Sequence, residues 1–347
     1  MKTIDLRSDT VTQPTDEMIE AIVQAHKSGR LGDDVIGEDK VIHELQEKAA
    51  QILGKEAALL VTSGTQGNVI ALLAQTSRGD EIVVEEKSHT YLFEAGAMSS
   101  LGGLFPKPVK SVRGYILPET LEASINRDEV HLAKTAMLVV ENTHNYAGGT
   151  IITPEQVKNL TSVAREHELK IHCDGARLFN AAVALDIPAK KLVEDVDSVQ
   201  ICFSKGLSAP VGSIIAGTEE FIHDSHRIRK RLGGGMRQAG IIAAPMIVAL
   251  EKMVERLKDD HDDAKLLYQS ISEIPNLIIE EPETNIIFLK LNNLPIDAMK
   301  LSEELGKDGI LVYGGYGERT RMVLNRMVDR DDVVRVAEVL NRILRAE

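Results

Sequence analysis

Lys170-Ile171-His172-Cys173-Asp174-Gly175-Ala176-Arg177 and, further on, Val199-Gln200-Ile201-Cys202-Phe203-Ser204-Lys205-Gly206 decide how this chain reads. Each is a short apolar run that closes on a glycine turn and carries one chargeable group at its end, Asp174 in the first and Lys205 in the second. Runs this short, without strict alternation, read as strands buried on both faces, here over 170–173 and 199–203. Working outward, 57–62, 81–84, 136–140 and 213–216 have the same texture. Helical patterns lie between several of them, at 66–75 and at 155–167, the latter opened by Thr153-Pro154 with Glu155 and Gln156 in its first turn. Strands separated by helices indicate an α/β fold, a mainly parallel sheet with helices on both faces. Ligands of such sheets collect at the carboxyl ends of the strands, where Asp174 and Lys205 fall.

The rest of the composition bounds the answer. A chain of 347 residues with 43% apolar content can bury one large core and a smaller satellite. Its formal net charge of -13 opposes binding to nucleic acid or to an anionic membrane surface. The one dense basic run, Arg227-Ile228-Arg229-Lys230-Arg231, reads first as a solvated helix face. Cys173 and Cys202 sit inside apolar runs as small buried thiols, which fits a reducing cytoplasm rather than a secreted disulfide framework. The N-terminus lacks an apolar targeting core, and no stretch reaches the roughly 18 apolar residues of a membrane span.

After Met236 the texture changes. A helical stretch from Ala239 towards Leu267, interrupted at Pro245, leads to the acidic patch Asp259, Asp260, Asp262 and Asp263. Beyond it, 285–291, 310–313 and 322–324 read as strands, with helices near 297–306 and 331–345. The last has Val333, Val336, Ala337, Leu340 and Leu344 on one stripe. The expected division is a large domain with an N-terminal arm over 1–250 and a small C-terminal α+β domain over 251–347.

A carboxylate at one strand end and a lysine at the next are the groups that pyridoxal phosphate (PLP) chemistry needs, an anion to keep a pyridine nitrogen protonated and an amine for covalent attachment. Thr62-Ser63-Gly64-Thr65-Gln66-Gly67-Asn68 follows a strand and opens a helix, so it offers free N–H groups and a positive dipole end to a phosphate, with Gly64, Thr65 and Gln66 as the candidate cup. Alone it would be an ordinary turn; it gains meaning from the Asp and the Lys. His89, after the next strand in Lys87-Ser88-His89-Thr90-Tyr91, can stack on a flat ring or move protons near neutral pH. His131 and His144 are weaker candidates, and His131 could reach a substrate hydroxyl. A metal reading of His172, Cys173 and Asp174 fails because neighbours on a strand alternate faces, so no metal site is expected. For Asp174 the plain alternative is a helix cap on the turn that follows it.

Taken in order, Leu6-Arg7-Ser8-Asp9-Thr10-Val11-Thr12, Gly32-Asp33-Asp34, Ser63-Gly64-Thr65-Gln66, Phe93-Glu94-Ala95-Gly96, Glu141-Asn142-Thr143-His144, Asp174-Gly175-Ala176-Arg177, Ser204-Lys205-Gly206 and Gly233-Gly234-Gly235-Met236-Arg237-Gln238 span nearly the whole chain. The set resembles low-specificity L-threonine aldolase, a PLP enzyme of fold-type I, the aminotransferase-like architecture. The resemblance implies cleavage of L-threonine or L-allo-threonine to glycine and acetaldehyde. By matching position it implies that Lys205 holds PLP covalently, Asp174 pairs with the pyridine nitrogen, His89 stacks on the ring, and Gly64 and Thr65 hold the phosphate. It also implies that Ser8, Arg177 and Arg321 grip the substrate carboxylate. Family members are typically homotetramers with active sites shared between subunits, so Lys230 and Arg237 would come from a neighbour, which revises the plain reading of the basic run.

The β-hydroxyl base is expected to be His89 or His131, or a water held by either. Many family members have an aromatic residue where this chain has Ile36, which leaves the threo or erythro preference open, and Arg319 would project from the same strand face as Arg321. Three alternatives remain: a β-eliminating lyase of another amino acid, serine hydroxymethyltransferase-like chemistry, and a non-catalytic PLP-binding module.

Overall fold

The computed structural model describes residues 2–345. Its thirteen strands are β1 (Ile4–Asp5), β2 (Ala57–Val61), β3 (Glu81–Glu85), β4 (Phe105–Val109), β5 (Thr135–Glu141), β6 (Lys170–Gly175), β7 (Ser198–Cys202), β8 (Ser213–Gly217), β9 (Leu277–Ile279), β10 (Ile286–Leu291), β11 (Ile310–Leu311), β12 (Tyr313–Tyr316) and β13 (Arg319–Val323). Seven of them form the central sheet in the order β2-β8-β7-β6-β5-β3-β4. The pairings from β7 through β6, β5 and β3 to β4 are parallel, and only β8 runs antiparallel, between β2 and β7. Every residue of β3, β5, β7 and β8 is buried, as a sheet covered on both faces requires.

The sequence reading omits β4, Phe-Pro-Lys-Pro-Val, and the physical reason is visible. Pro106 and Pro108 have no N–H to give a ladder, and β4 sits at the sheet edge, paired with β3 alone. Pro245 is also corrected. It lies inside the helix Gly240–Val248, which continues through a wider turn at Ala249–Met253, and the chain breaks only before the next helix, Leu257–Ile271.

The second sheet, β12-β13-β10-β9, is antiparallel and has its own core, in which Leu267, Ile287, Leu305, Met322, Val336 and Leu340 meet. Ile4 and Leu6 belong to this core as well, because β1 pairs in parallel with β11. The N-terminal arm is thus bolted to the C-terminal unit. The helix Leu257–Ile271 bridges both cores, with Leu257 in the large one and Ala264 in the small one. This puts residues 6–12 in the cleft between the units, beside the carboxyl edge of the large sheet.

Three buried titratable groups make the fold sensitive to acid. Burial pushes His172 and His261 down to about 4 and Asp260 up to about 6. Near pH 5 the unfolded chain protonates both histidines, whose ordinary value is 6.5, and the folded chain protonates neither; the folded chain protonates Asp260 and the unfolded chain does not. Over these three groups the unfolded state binds about one proton more, a contribution of about 1.4 kcal/mol of lost stability per unit of falling pH, which the raised Asp34, Glu94 and Asp263 oppose. Urea unfolding at about pH 5.5 and about pH 4.5 measures this slope; equal stabilities at the two would contradict it.

Candidate active site

The strand register brings the candidate groups to one edge. Asp174 at the end of β6 lies level with Glu141 of β5 and Gln200 of β7, and Lys205 follows β7 by three residues. Asp174 is 2% exposed, and its two oxygens accept from Ala176 N at 3.1 Å and from Asn68 Nδ2 at 2.9 Å. Capping of the turn therefore accounts for only one oxygen. Lys205 is half-buried, and its carbonyl accepts from Thr12 Oγ1 at 2.7 Å, which ties the N-terminal arm to the lysine loop. Its ammonium adds to the forces that hold Asp9 ionised and opposes the protonation of His89, so it acts on both.

The helix Gly64–Gln75 points its N-terminus at the same edge. Ser63 Oγ caps it by accepting from Gln66 N at 3.2 Å, which leaves the N–H groups of Gly64 and Thr65 for an anion. Gln66 turns its side chain away from that task, since its Oε1 accepts from Thr62 N at 2.9 Å and from Thr62 Oγ1 at 3.0 Å. A Cβ on Gly64 would stand 2.8 Å from the buried Cys202 Sγ and 3.3 Å from Gln200 Nε2. Gly64→Ala is expected to shift the helix start and weaken PLP binding by about tenfold, in line with a lost phosphate contact at a helix terminus. Titration of the apo-protein with PLP, followed by absorbance, measures the loss; unchanged affinity would show that this turn does not touch the cofactor.

Two guanidiniums converge beside Lys205. Arg177 is buried, with Nε and Nη2 each 2.7 Å from the two oxygens of Asp9 and Nη1 3.3 Å from Asn145 Oδ1. Arg321 Nη1 meets the same Asn145 oxygen at 2.8 Å, Nη2 bonds the Arg7 carbonyl at 2.9 Å, and its buried Nε has no partner among the described residues. Burial alone would raise the pKa of Asp9, but Arg177 overrides it and holds the carboxyl at about 2. Two buried cations thus share one carboxylate, which suits a second carboxylate brought by a substrate. Ser8 Oγ lies 3.5 Å from Asp9 Oδ1 and caps the turn at Thr10 N. Arg319 is the strand neighbour that does not join: its guanidinium packs 3.9 Å from the Phe288 ring centre and bonds the Tyr146 carbonyl.

His89 Nδ1 lies 3.1 Å from Glu94 Oε1. Burial would lower its pKa, but the bond to Glu94 and the charge of Asp174 outweigh it, so the net shift is upward. With Nδ1–H given to the carboxylate, Nε2 is the ring atom left to take a proton. His144 is fully engaged elsewhere, with Nε2 2.9 Å from Glu85 and Nδ1 accepting from Ala147 N. His131 needs correction. It precedes β5 and stands at the amino edge of the sheet, exposed and 2.7 Å from Glu129, so within one chain it does not reach the cluster at the other end of that strand.

Lys230 and Arg237 are exposed, and Arg237 pairs with Asp33 at 2.7 Å. Within the basic run Arg229 departs from a solvated face: it is buried, paired with Asp34 at 2.8 Å and bonded to the Leu60 carbonyl. Among the described residues, His89, Glu94 and Asp174 are a trio whose ligand atoms lie within 4.8 Å of one another. The amide of Asn68, which bonds both carboxylates, accounts for their approach without an ion.

A family model for beta-eliminating lyases matches residues 5–293. The chain belongs to the beta-eliminating lyase family. Within this family it is 41% identical over 340 residues to low-specificity L-threonine aldolase 1 of Arabidopsis thaliana, covering 96% of this chain and 94% of that protein. It is 39% identical over 335 residues to the low specificity L-threonine aldolase of Escherichia coli strain K12, covering 96% and 97%. The fold matches the solved threonine aldolase of Leishmania major with a TM-score of 0.84 at 18% identity, over 98% of this chain and 99% of that one. The fold is thus that of the PLP enzymes of fold-type I.

As in a beta-eliminating lyase, the residues present fit PLP. Free helix N–H groups, a buried carboxylate, a lysine and a histidine ring gather at one strand edge, and the missing side chains of Gly64 and Gly67 let the helix start pack close against Gln200, Cys202 and Ile215. PLP is the cofactor of this lyase. The sequence reading passed over Asp9, Asn68, Glu94 and Asn145. A buried Arg177 needs a counter-charge, and Asp9, next to Ser8 in the quoted N-terminal motif, was the signal that could have been followed.

Proposed function

We propose that the protein catalyses PLP-dependent retro-aldol cleavage of L-threonine and L-allo-threonine to glycine and acetaldehyde. What carries this reading is near-full-length similarity to two threonine aldolases, because the site geometry by itself suits amino-acid chemistry in general. When bound, PLP supplies a conjugated electron sink for the pair released from a bond at the substrate α-carbon. Lys205 Nζ would hold the cofactor covalently, Asp174 would pair with its pyridine nitrogen, and Gly64 and Thr65 would bind its phosphate.

Arg321 Nε and the Arg177 edge facing Asn145, with Ser8, take the substrate carboxylate. Fixing that carboxylate would restrict rotation about the substrate α-carbon and so select which of its bonds is presented for cleavage. His89 Nε2 takes the β-hydroxyl proton as the bond opens, and Glu94 steadies the charge gained at Nδ1. His131 enters this scheme only if another subunit supplies it.

A homotetramer with shared sites is supported by the exposed apolar Ile36, Leu92, Phe93 and Leu101, and by Lys230 and Arg237, which stand at the surface. The free buried thiols of Cys173 and Cys202 support a cytoplasmic location. Among the described residues no helix is long and apolar enough to cross a membrane, and the charge of -13 disfavours nucleic acid as a partner.

Purified protein incubated with L-threonine and with L-allo-threonine should release glycine and acetaldehyde in equal amounts. Pyruvate and ammonia in their place would point to β-elimination, and cofactor absorbance without turnover to a binding module.

A further inference from the structure

Beneath the strand edge a line of polar side chains, half-buried at Gln75 and buried beyond it, runs towards the site. Gln75 Nε2 lies 2.8 Å from Ser198 Oγ, Ser198 Oγ 2.8 Å from His172 Nδ1, and His172 Nε2 3.0 Å from Asn68 Oδ1. Asn68 Nδ2 then reaches Asp174 Oδ2 at 2.9 Å and Glu94 Oε1 at 2.8 Å, and Glu94 Oε1 also accepts from His89 Nδ1 at 3.1 Å. Asn68, His172 and Ser198 are each 1% exposed or less, so water does not substitute for a missing partner.

The direction of the line follows from which atoms can donate. Two carboxylate oxygens need donors, which turns the Asn68 amide so that its NH2 faces them and its oxygen faces His172. His172 must then carry its proton on Nε2. Burial keeps that ring neutral, so Nδ1 accepts, and the donor facing it is the Ser198 hydroxyl. Ser198 in turn accepts from Gln75. Every bond of the line then points towards Asp174 and Glu94.

We propose that Asn68, oriented by His172, is the positioning residue that sets both groups flanking the cofactor ring, Asp174 directly and His89 through Glu94. This rests on the reading that PLP binds between Asp174 and His89. The carboxylate of Asp174 is aimed by its two donors, while the same amide fixes Glu94 and so the imidazole plane. Two groups reached from different strands are thereby kept at one spacing by a single side chain on the helix that also presents the phosphate cup.

The test is titration of the apo-protein with PLP, with affinity read by absorbance and ring orientation by visible circular dichroism, for the wild type, Asn68→Ala, His172→Gln and His172→Leu. Asn68→Ala should weaken PLP by about 10- to 100-fold, the scale of a lost hydrogen bond to a charged group, and lower the dichroism per bound cofactor. His172→Gln can still donate to Asn68 Oδ1 and should stay within about threefold of the wild type, whereas His172→Leu should approach Asn68→Ala. A role in packing alone would not separate Gln from Leu in this way. Asn68→Ala with wild-type affinity and dichroism would overturn the proposal, as would Gln and Leu variants that behave alike, and the latter comparison stands even if Asn68→Ala does not fold. A wild type that binds no PLP would instead sink the cofactor reading on which this one rests.

Discussion

Lys205→Ala is expected to lower aldol cleavage by at least about 10⁴-fold, the scale on which removal of a covalent catalytic group slows other enzymes. The loss should appear in kcat, since the arginine pair that binds the substrate carboxylate is untouched. Nothing in the local structure predicts unfolding: the backbone oxygen of residue 205, which Thr12 uses, survives the change. The variant should still bind PLP through Gly64, Thr65 and Asp174, but reversibly, and dialysis should strip it where the wild type keeps it. A variant with more than about a hundredth of wild-type turnover would remove Lys205 from the chemistry.

Asp9→Asn carries the second large effect, on stability and binding together. Asp9 is completely buried, and it is the carboxylate that answers Arg177 through two bonds of 2.7 Å. Neutralising one partner of a buried pair leaves the other charge uncompensated, at a cost of about 3–5 kcal/mol. The pH dependence has a definite sign. Because the folded pKa of Asp9 is depressed to about 2 from an ordinary 3.8, its stabilisation is fully present above 3.8 and is lost as pH falls through about 2. The stability gap between wild type and variant should therefore be constant at neutral pH and close in strong acid. Released from Asp9, Arg177 can swing, so KM for threonine should rise by about tenfold or more while PLP affinity changes little. A variant with wild-type denaturation midpoint and KM would mean that Arg177 finds its counter-charge elsewhere.

What the sequence made legible was local. Asp174 and Lys205 stand out because each is a lone charge on an apolar run, and such runs, buried on both faces, seldom end that way without cause. The capped helix start that serves as the candidate phosphate cup was legible for the same reason, since Ser63-Gly64-Thr65 combines a cap, a glycine and a helix start within a few residues. Asp9, Asn68 and Glu94 were not legible, because what they do depends on partners far along the chain. Asp9 meets Arg177 across 168 residues, and Asn68 meets Asp174 across 106. Arg229 shows the limit in another way. A run of four basic residues in five looks uniformly solvated, yet helix periodicity turns one of them inward, where only the fold supplies Asp34 and the Leu60 carbonyl. His131 stands apart within one chain because the seven residues of β5 separate it from the edge where the candidate site lies, a span of about 20 Å that proximity to Asn142 in sequence conceals.

The most direct test of the central claim is borohydride reduction of the PLP-loaded protein followed by proteolysis and mass spectrometry. The account predicts one phosphopyridoxyl group, on Nζ of Lys205. An unmodified Lys205 peptide, with the label absent or on another lysine, would contradict it.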